Sequence, residues 1–285
     1  MIPGNQNKTL QAWQASAQYW DKYRVLITEM FAPLTSGLVE EAQIRIGKKV
    51  LDIGGGSGEP SLTISRIVGP AGSVMYTDPV AGMLESAQAE ARRRGLTNIH
   101  FKRCSADDLP FANCTFDVAV GRLSAMFFVD PVTAAREALR VLLKDGRVAF
   151  AVWSPKETNP FFSSITDVID QFLEAPPASD VPDAFRFAVS GKLAGILKQA
   201  DAKKIIERKL NFQIEAAISF DQFWQLRTEM SESLRGKMAR LTPAQLPTVK
   251  QAVADSARRY FVSGTMSFPA QALIVSGRKP AGSSS

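Results

Sequence analysis

Between Lys49 and Trp153 the sequence alternates short apolar runs with longer stretches whose apolar residues recur every three or four positions. Short apolar runs are typical of buried strands, and the longer period is typical of amphipathic helices. The predicted elements are strand Lys49–Ile53, helix Ser61–Val68, strand Ser73–Thr77, helix Gly82–Gly95, strand Ile99–Arg103, strand Phe116–Val120, helix Pro131–Leu143 and strand Arg147–Trp153. This order predicts an α/β fold in which a parallel sheet carries helices on both faces.

The segments on either side of this region have different patterns. Two helices are predicted before it, at residues 9–31 and 34–45, and the first places Trp13, Trp20 and Tyr23 on one face. After it, the predicted elements are helix Phe161–Leu173, loop Glu174–Asp183, helix Ser190–Ala200 capped by Ser190, strand Ile205–Ile214, a helical region Phe220–Phe261 broken near Pro243 and Pro247, and strand Gln271–Arg278. The two late strands are separated by a helical insertion. This order indicates that the insertion forms a cap and that the last strand completes the sheet after it.

The chain of 285 residues carries a formal net charge of +6, but its basic residues are scattered. Arg92–Arg94, the only triplet, closes a predicted helix, where the helix dipole favours cations. A solvated helix end is therefore the preferred interpretation, and nucleic-acid binding is not expected. The polar first twenty residues, and the lack of an apolar run near the ~20 residues that cross a bilayer, predict a cytoplasmic protein.

Cys104, Cys114 and the single histidine, His100, are too few for a disulfide framework or a metal site of ordinary spacing. We therefore expect no metal and interpret the cysteines as small packing residues. His100 lies inside a predicted strand and is interpreted as a structural histidine rather than a catalytic base.

A glycine-rich segment, Val50–Pro60, joins the first strand to its helix. In open parallel sheets ligands bind at the carboxyl ends of the strands, and glycine lets a ligand lie against bare backbone. The dinucleotide pattern G-x-G-x-x-G needs glycine where Glu59 stands, and no Gly-Lys-Ser/Thr follows to make a P-loop. An acidic residue at the helix entrance disfavours a pyrophosphate and is compatible with a ligand that carries an ammonium group and no phosphate.

Asp78 ends the second strand about twenty residues after the glycines. A carboxylate at this point can accept hydrogen bonds from both hydroxyls of a ribose. Asp78 also begins an Asp-Pro turn, which is a local structural role compatible with binding. The glycines alone fit a bare turn before a helix, whereas the glycines together with Asp78 predict a nucleoside site.

Four segments in order, VLDIGGGSGEPSL, VMYTDPVAGMLESA, SADDLPFANCTFDVAVGRLSAMFFVDP and ALRVLLKDGRVAFAVW, resemble the successive motifs of class I S-adenosylmethionine-dependent methyltransferases. They are most similar to the branch containing ubiquinone/menaquinone C-methyltransferases, and the resemblance runs from about Trp13 to Trp153. It implies a Rossmann-like, seven-stranded, mostly parallel sheet with an N-terminal helical lid and a helical cap insertion. The implied division is a lid at 1–46, a cofactor-binding core at 47–160, a cap at 161–262 with one late core strand at about 203–215, a final core strand at 263–280 and a disordered tail at 281–285.

The resemblance also implies roles for individual residues. The expected contacts of the methionine moiety are Asp52, Gly54, Gly56, Ser57 and Gly58, with Gly121 and Arg122 bordering this end and the acceptor. The ribose is expected at Asp78, beside Pro79 and Met83, and the adenine at Ser105, Ala106 and Asp107. From the lid, Tyr19 is expected to add a polar cofactor contact within a wall formed by Trp13, Trp20 and Tyr23; the alternative is that these rings form only the buried face of a helix. The expected acceptor contacts are Trp20, Met126 and Phe127, with Phe128 beside them; the alternative for the last three is that they only pack against the following helix.

The implied activity is transfer of the sulfonium methyl group of S-adenosylmethionine to a carbon, oxygen or nitrogen atom of a small, apolar or aromatic acceptor. No general base is assigned, because alignment of donor and acceptor can supply much of the acceleration. Methylation of RNA or protein, and cofactor binding without turnover, are the alternatives. The segment Asn159–Phe162 resembles a motif of amino-group methyltransferases but follows the wrong strand, and it is interpreted as a loop and helix start.

Overall fold

The computed structural model describes residues 3–174 and 183–281, with side chains of the first helix described from Thr9 onward. The helices are α1 Pro3–Lys22, α2 Arg24–Met30, α3 Ala32–Glu41, α4 Ser61–Val68, α5 Ala81–Arg93, α6 Pro131–Val141, α7 Pro160–Asp170, α8 Lys192–Gln199, α9 Phe220–Met230, α10 Glu232–Met238 and α11 Gln245–Ala257. The strands are β1 Lys49–Ile53, β2 Ser73–Asp78, β3 Ile99–Arg103, β4 Phe116–Arg122, β5 Leu142–Trp153, β6 Lys203–Ala216, β7 Phe261–Val262 and β8 Thr265–Arg278. Most of the predicted tail, and most of the predicted loop at 174–183, lie outside the described residues.

One sheet organises the molecule, with strand order β3-β2-β1-β4-β5-β8-β6 and the short β7 paired to β8. The first five strands pair in parallel, whereas β8 runs antiparallel to both β5 and β6. The predicted α/β fold with a seven-stranded, mostly parallel sheet is therefore confirmed. β7 adds two residues at the end of the β6–β8 ribbon.

The core lies along both faces of the central strands. In β5, every residue from Val148 to Trp153 is buried, as expected for a parallel strand covered by helices on both sides. α4 and α5 pack against β1–β3, while α3 and α6 pack against β4 and β5. No helix within the described residues is long and apolar enough to span a bilayer.

Several predicted boundaries differ from the structure. Residues 9–31 form two helices rather than one, because the chain leaves helical geometry at Tyr23, where φ is −100° and ψ is 11°. Ser190 does not cap α8, since its hydroxyl donates to Glu207 at 2.5 Å and Gly191 occupies the cap position. Pro247 does not break a helix, because it lies in the first turn of α11, where a proline removes no intrahelical hydrogen bond.

Asn159 joins the end of β5 to β8. Its side chain is fully buried, and its Nδ2 donates to the carbonyl oxygens of Ser154 and Gln271, each at 3.0 Å. Its Oδ1 accepts from the backbone N–H of Gln271 at 3.0 Å. α7 begins at the next residue, Pro160. The interpretation of Asn159–Phe162 as a loop and helix start is confirmed, and the asparagine has a structural role.

We expect Asn159→Ala to lower the free energy of unfolding by about 3 kcal/mol, because the buried carbonyl oxygen of Ser154 and the backbone N–H of Gln271 lose the side-chain partner that Asn159 provides. The measurement is chemical denaturation monitored by circular dichroism. Asn211→Ala, which removes an exposed amide that also contacts Gln271, is the control and should change the free energy by less than about 0.5 kcal/mol. Equal losses in the two variants would contradict this role for Asn159.

Candidate functional site

A cavity of about 330 Å³ lies at the carboxyl ends of β1, β2, β3 and β4. This is the edge at which open parallel sheets bind ligands. The core contributes to its wall Ile53, Gly54, Gly55, Gly56, Ser57, Glu59, Thr77, Asp78, Pro79, Val80, Met83, Cys104, Ser105, Ala106, Arg122, Leu123, Ser124, Phe127, Phe128 and Val129. α1 adds Thr9, Leu10, Trp13 and Trp20, and the residue between α2 and α3 adds Phe31. The cavity therefore has a polar end at the glycine turn and an aromatic end beneath α1.

The glycine turn after β1 is held by the neighbouring strand. The backbone N–H groups of Gly54 and Gly55 both donate to the carbonyl oxygen of Thr77, at 2.9 and 3.0 Å. Gly54 and Gly56 have φ of +73° and +55°, values that favour glycine. A Cβ atom on Gly56 would meet no atom within 4 Å, so its backbone borders open space. The turn thus presents bare main chain to the cavity.

Asp78 is positioned by two backbone N–H groups. Gly56 donates to its Oδ2 at 3.0 Å and Val80 donates to its Oδ1 at 2.9 Å. Burial raises the pKa of the Asp78 carboxyl to about 6, although both N–H groups oppose this shift. Each carboxylate oxygen can accept a further hydrogen bond, and Asp78 lines the cavity. It can therefore bind a pair of ligand hydroxyls.

Asp52 lies beneath the glycine turn rather than in the cavity wall. Its Oδ2 accepts from the hydroxyl of Ser61 at 2.6 Å, while its buried Oδ1 has no hydrogen-bond partner. Burial raises its pKa to about 7, with Asp78 and Glu59 contributing in the same direction and Arg122 opposing them. Asp52 therefore acts on the site through the turn and through its charge.

The polar end also contains two groups of opposite charge, Glu59 and Arg122. Both oxygens of Glu59 are buried without a hydrogen-bond partner, and Arg94 lies 3.6 Å away. Arg122 donates from Nη1 to the hydroxyl of Thr35 at 2.8 Å, and its Nε has no partner. Burial lowers the pKa of Arg122, although Glu59 and Asp52 oppose this shift.

The side chains after β3 are less polar than the sequence suggests. The hydroxyl of Ser105 donates to the carboxylate of Asp107, which does not line the cavity. Cys104 lines the cavity, but burial raises the pKa of its thiol to about 11, so it is a neutral wall residue at physiological pH. His100 is exposed on β3 and does not line the cavity.

Aromatic rings enclose the other end. The ring of Trp13 lies edge-on to Phe127 with a centroid separation of 5.0 Å, and 6.0 Å from Trp20. Phe31 adds a third side and packs edge-on against Trp153 at 5.6 Å. These contacts create an apolar compartment next to the glycine turn.

α1 and α2 are fixed over the cavity by contacts on both sides. On the core side, Arg24 donates from Nη1 to the carbonyl oxygen of Ser57 at 2.9 Å, so α2 contacts the glycine turn directly. On the cap side, Glu229 in α9 accepts from Lys22 at 2.6 Å and from Tyr23 at 2.7 Å. The aromatic wall therefore depends on both the core and the cap.

Most of the site residues expected from the sequence meet in this cavity: Trp20, Gly54, Gly56, Ser57, Asp78, Pro79, Met83, Ser105, Ala106, Arg122 and Phe127. Six others do not line it: Tyr19, Asp52, Gly58, Asp107, Gly121 and Met126. Gly58 packs towards Leu62, and Gly121 packs towards Phe150. Met126 is fully buried in the core.

Tyr19 does not reach the cavity because it lies on another side of α1. Its ring lies 5.1 Å from the guanidinium of Arg235 in α10. Tyr23 likewise contacts Glu229 and not the cavity. Of the expected aromatic wall, only Trp13 and Trp20, seven residues apart on one helical face, line the cavity.

The sequence analysis gave no site role to several wall residues, among them Leu10, Phe31, Val80 and Ser124, and it interpreted Glu59 through its charge without naming it as a binding residue. Glu59 and Val80 are direct neighbours of expected site residues, so extending each motif by one or two positions would have included them. Phe31 follows α2 and carries no motif, and only the tertiary packing brings it to the cavity.

The comparisons with known proteins agree with this geometry. Residues 51–150 match the model of the methyltransferase domain family. Over 156 residues the chain is 34% identical to aklanonic acid methyltransferase DauC of Streptomyces sp. (strain C5), a match that covers 55% of this chain and 66% of DauC. Over 131 residues it is 36% identical to the ubiquinone/menaquinone biosynthesis C-methyltransferase UbiE of Hahella chejuensis, covering 46% of this chain and 52% of UbiE.

Among solved structures, YcgJ from Bacillus subtilis has the same fold, with a TM-score of 0.56 and 20% sequence identity, and the match covers 87% of this chain and 98% of YcgJ. The matched domain and its relatives identify the cofactor as S-adenosylmethionine. With its glycine turn and Asp78 at the carboxyl edge of a mostly parallel sheet, the chain is a member of the class I S-adenosylmethionine-dependent methyltransferase family.

Proposed function

We propose that the protein transfers the sulfonium methyl group to a carbon, oxygen or nitrogen atom of a small, apolar or aromatic acceptor. The observation that carries this proposal is the division of one cavity into a charged end at the glycine turn and an aromatic end beneath α1. The first suits the amino-acid and ribose parts of the cofactor. The second suits an apolar molecule placed next to the methyl group.

The residues at the charged end fit the cofactor. Asp78 would accept from the ribose hydroxyls, and Gly54, Gly56 and Ser57 would border the methionine moiety. Buried polar atoms without hydrogen-bond partners support this fit. At that end, Oδ1 of Asp52 and both carboxylate oxygens of Glu59 accept no hydrogen bond from the protein. Buried polar atoms ordinarily have a partner, so a ligand that supplies hydrogen-bond donors there is favoured.

The aromatic end would bind the acceptor and exclude water. When bound, the cofactor supplies an electrophilic methyl group on a positively charged sulfur. An electron pair of the acceptor atom forms the new bond to the methyl carbon, the carbon–sulfur bond breaks, and its electron pair passes to sulfur. Trp13, Trp20 and Phe127 would hold the acceptor in line with that bond, and aromatic faces also stabilise a neighbouring cation.

The experiment that tests the proposal has two steps. Isothermal titration calorimetry should detect binding of S-adenosylmethionine and none of NAD. Incubation with methyl-labelled cofactor and a panel of phenols, quinols, enols and amines should then label at least one acceptor. Binding of NAD instead would overturn the proposal, and so would labelling confined to RNA or protein substrates.

We expect Asp78→Ala to weaken S-adenosylmethionine binding by about 1–3 kcal/mol, because the ribose hydroxyls lose a buried partner. Calorimetry measures this change directly. Glu85→Ala, which removes an exposed carboxylate of α5 outside the cavity, is the control and should leave the affinity unchanged. Equal affinity in the two variants would remove Asp78 from the site.

Cofactor affinity should fall as the pH is lowered from about 8 to about 5. The pKa of Asp78 is about 6 in the free protein, and hydroxyl donors stabilise its ionised form, so protonation opposes binding. Below this pKa, the affinity should fall by at most about tenfold per pH unit. Asp78→Asn should bind more weakly and lose the change centred near pH 6; an unaltered pH profile would contradict the assignment.

Phe127→Ala should raise the KM for the acceptor by about two- to tenfold, the scale of one lost aromatic contact, with a smaller effect on cofactor affinity. Phe111→Ala, which removes a half-buried ring outside the cavity, is the control. Steady-state kinetics at saturating cofactor separates the two parameters. A larger loss of cofactor affinity than of acceptor affinity would place Phe127 at the cofactor instead.

A further inference from the structure

Glu59 is the least compensated charge in the cavity wall. Its side chain is only 5% exposed, yet neither carboxylate oxygen accepts a hydrogen bond from any described residue. Its one ion-pair contact is with Arg94 at 3.6 Å, and Arg94 is itself engaged by Glu90 at 2.6 Å. Burying a carboxylate without hydrogen bonds is costly, so a donor supplied by a ligand would offset the cost.

Arg122 is the complementary group. It is the only basic residue among the described residues of the cavity wall, and its Nε is buried without a partner. Glu59 and Arg122 influence each other electrostatically, but they are not within 4 Å of each other. Both residues line the same cavity without pairing with each other, so each can bind one of the two opposite charges of a zwitterion.

We propose that Glu59 binds the α-ammonium group of S-adenosylmethionine and that Arg122 binds its α-carboxylate. This inference rests on the cofactor site proposed above and extends it to a residue that the glycine pattern does not include. Charged hydrogen bonds of this kind are stronger than neutral ones, and a carboxylate accepts from an ammonium group with few geometric restrictions.

The same placement accounts for selectivity. In a dinucleotide site a pyrophosphate lies at the amino end of the helix that follows the glycine turn. Here Glu59 lies two residues before the start of α4, and both Glu59 and Asp78 act electrostatically on Asp52 beneath the glycine turn. Three carboxylates repel a pyrophosphate and attract an ammonium group, so Glu59 selects the cofactor as well as binding it.

Cofactor fragments test the proposal by calorimetry. Wild-type protein and Glu59→Gln are titrated with S-adenosylhomocysteine, with decarboxylated S-adenosylmethionine, which keeps the ammonium group, and with 5′-methylthioadenosine, which has neither charged group. Glu59→Gln should weaken the first two ligands by about tenfold or more and change the third by less than about twofold, because only the first two carry the ammonium group. Arg122→Gln should weaken the first ligand and spare the second.

Two further variants test whether the effect is specific to the charge of Glu59. Glu85→Gln removes an exposed carboxylate of α5 that lies outside the cavity, so it should leave all three affinities unchanged. Glu59→Asp keeps the charge and should retain part of the preference for ligands with an ammonium group. Equal weakening of all three ligands by Glu59→Gln, or no weakening, would overturn the role of Glu59. Failure of every ligand to bind wild-type protein would instead overturn the cofactor site itself.

Discussion

The site depends on the parallel register of β1 and β2, which pairs Ile53 with Thr77. Because of this pairing, the carbonyl oxygen of Thr77 accepts the N–H groups of Gly54 and Gly55, and the hydroxyl of Thr77 donates to the carbonyl oxygen of Asp52 at 2.8 Å. The chain then turns away from the sheet, which leaves the N–H of Gly56 free to fix Asp78. A one-residue shift would separate the glycine turn from that carboxylate and remove the proposed ribose contact.

The sequence predicts the central sheet well because each parallel strand is a short apolar run followed by turn residues. It predicts the edges less well: the expected strands Ile205–Ile214 and Gln271–Arg278 extend in the structure over Lys203–Ala216 and Thr265–Arg278, although buried Met266, Phe268 and Ala270 alternate with more exposed residues in β8. Within the site, residues fixed by backbone geometry were only partly predictable: Asp78 lines the cavity as expected, whereas Asp52, Gly58 and Gly121 do not. Residues that depend on helix rotation were not. Tyr19 and Trp20 are neighbours in sequence, and only packing of α1 against α5 and α10 determines which one lines the cavity.

In the turn after β4 as well, the sequence does not show which residues face the cavity. Met126 and Phe127 share a single turn of 3₁₀ helix, and both are apolar, so their composition does not distinguish core from cavity. Arg186, which lies in the cap region at 161–262, donates to the carbonyl oxygen of Phe128 at 2.6 Å and thereby helps to fix this turn. The acceptor wall is consequently set by three parts of the chain: α1, the turn after β4, and the cap. We infer that acceptor specificity can change through the cap while the cofactor end stays constant.

At the cofactor end of the cavity, the ligand that can bind is determined by electrostatics. Asp52 and Glu59 both act electrostatically on the guanidinium of Arg122, and burial together with repulsion from Asp78 and Glu59 raises the pKa of Asp52 to about 7. Such an arrangement is unfavourable without a partner, since each buried charge loses hydration. A ligand with a sulfonium and an ammonium group offsets this cost, whereas a dinucleotide increases it. Glu59, which breaks the dinucleotide glycine pattern, is therefore a positive determinant of the site: it changes the charge that the cavity accepts as well as the shape of the turn.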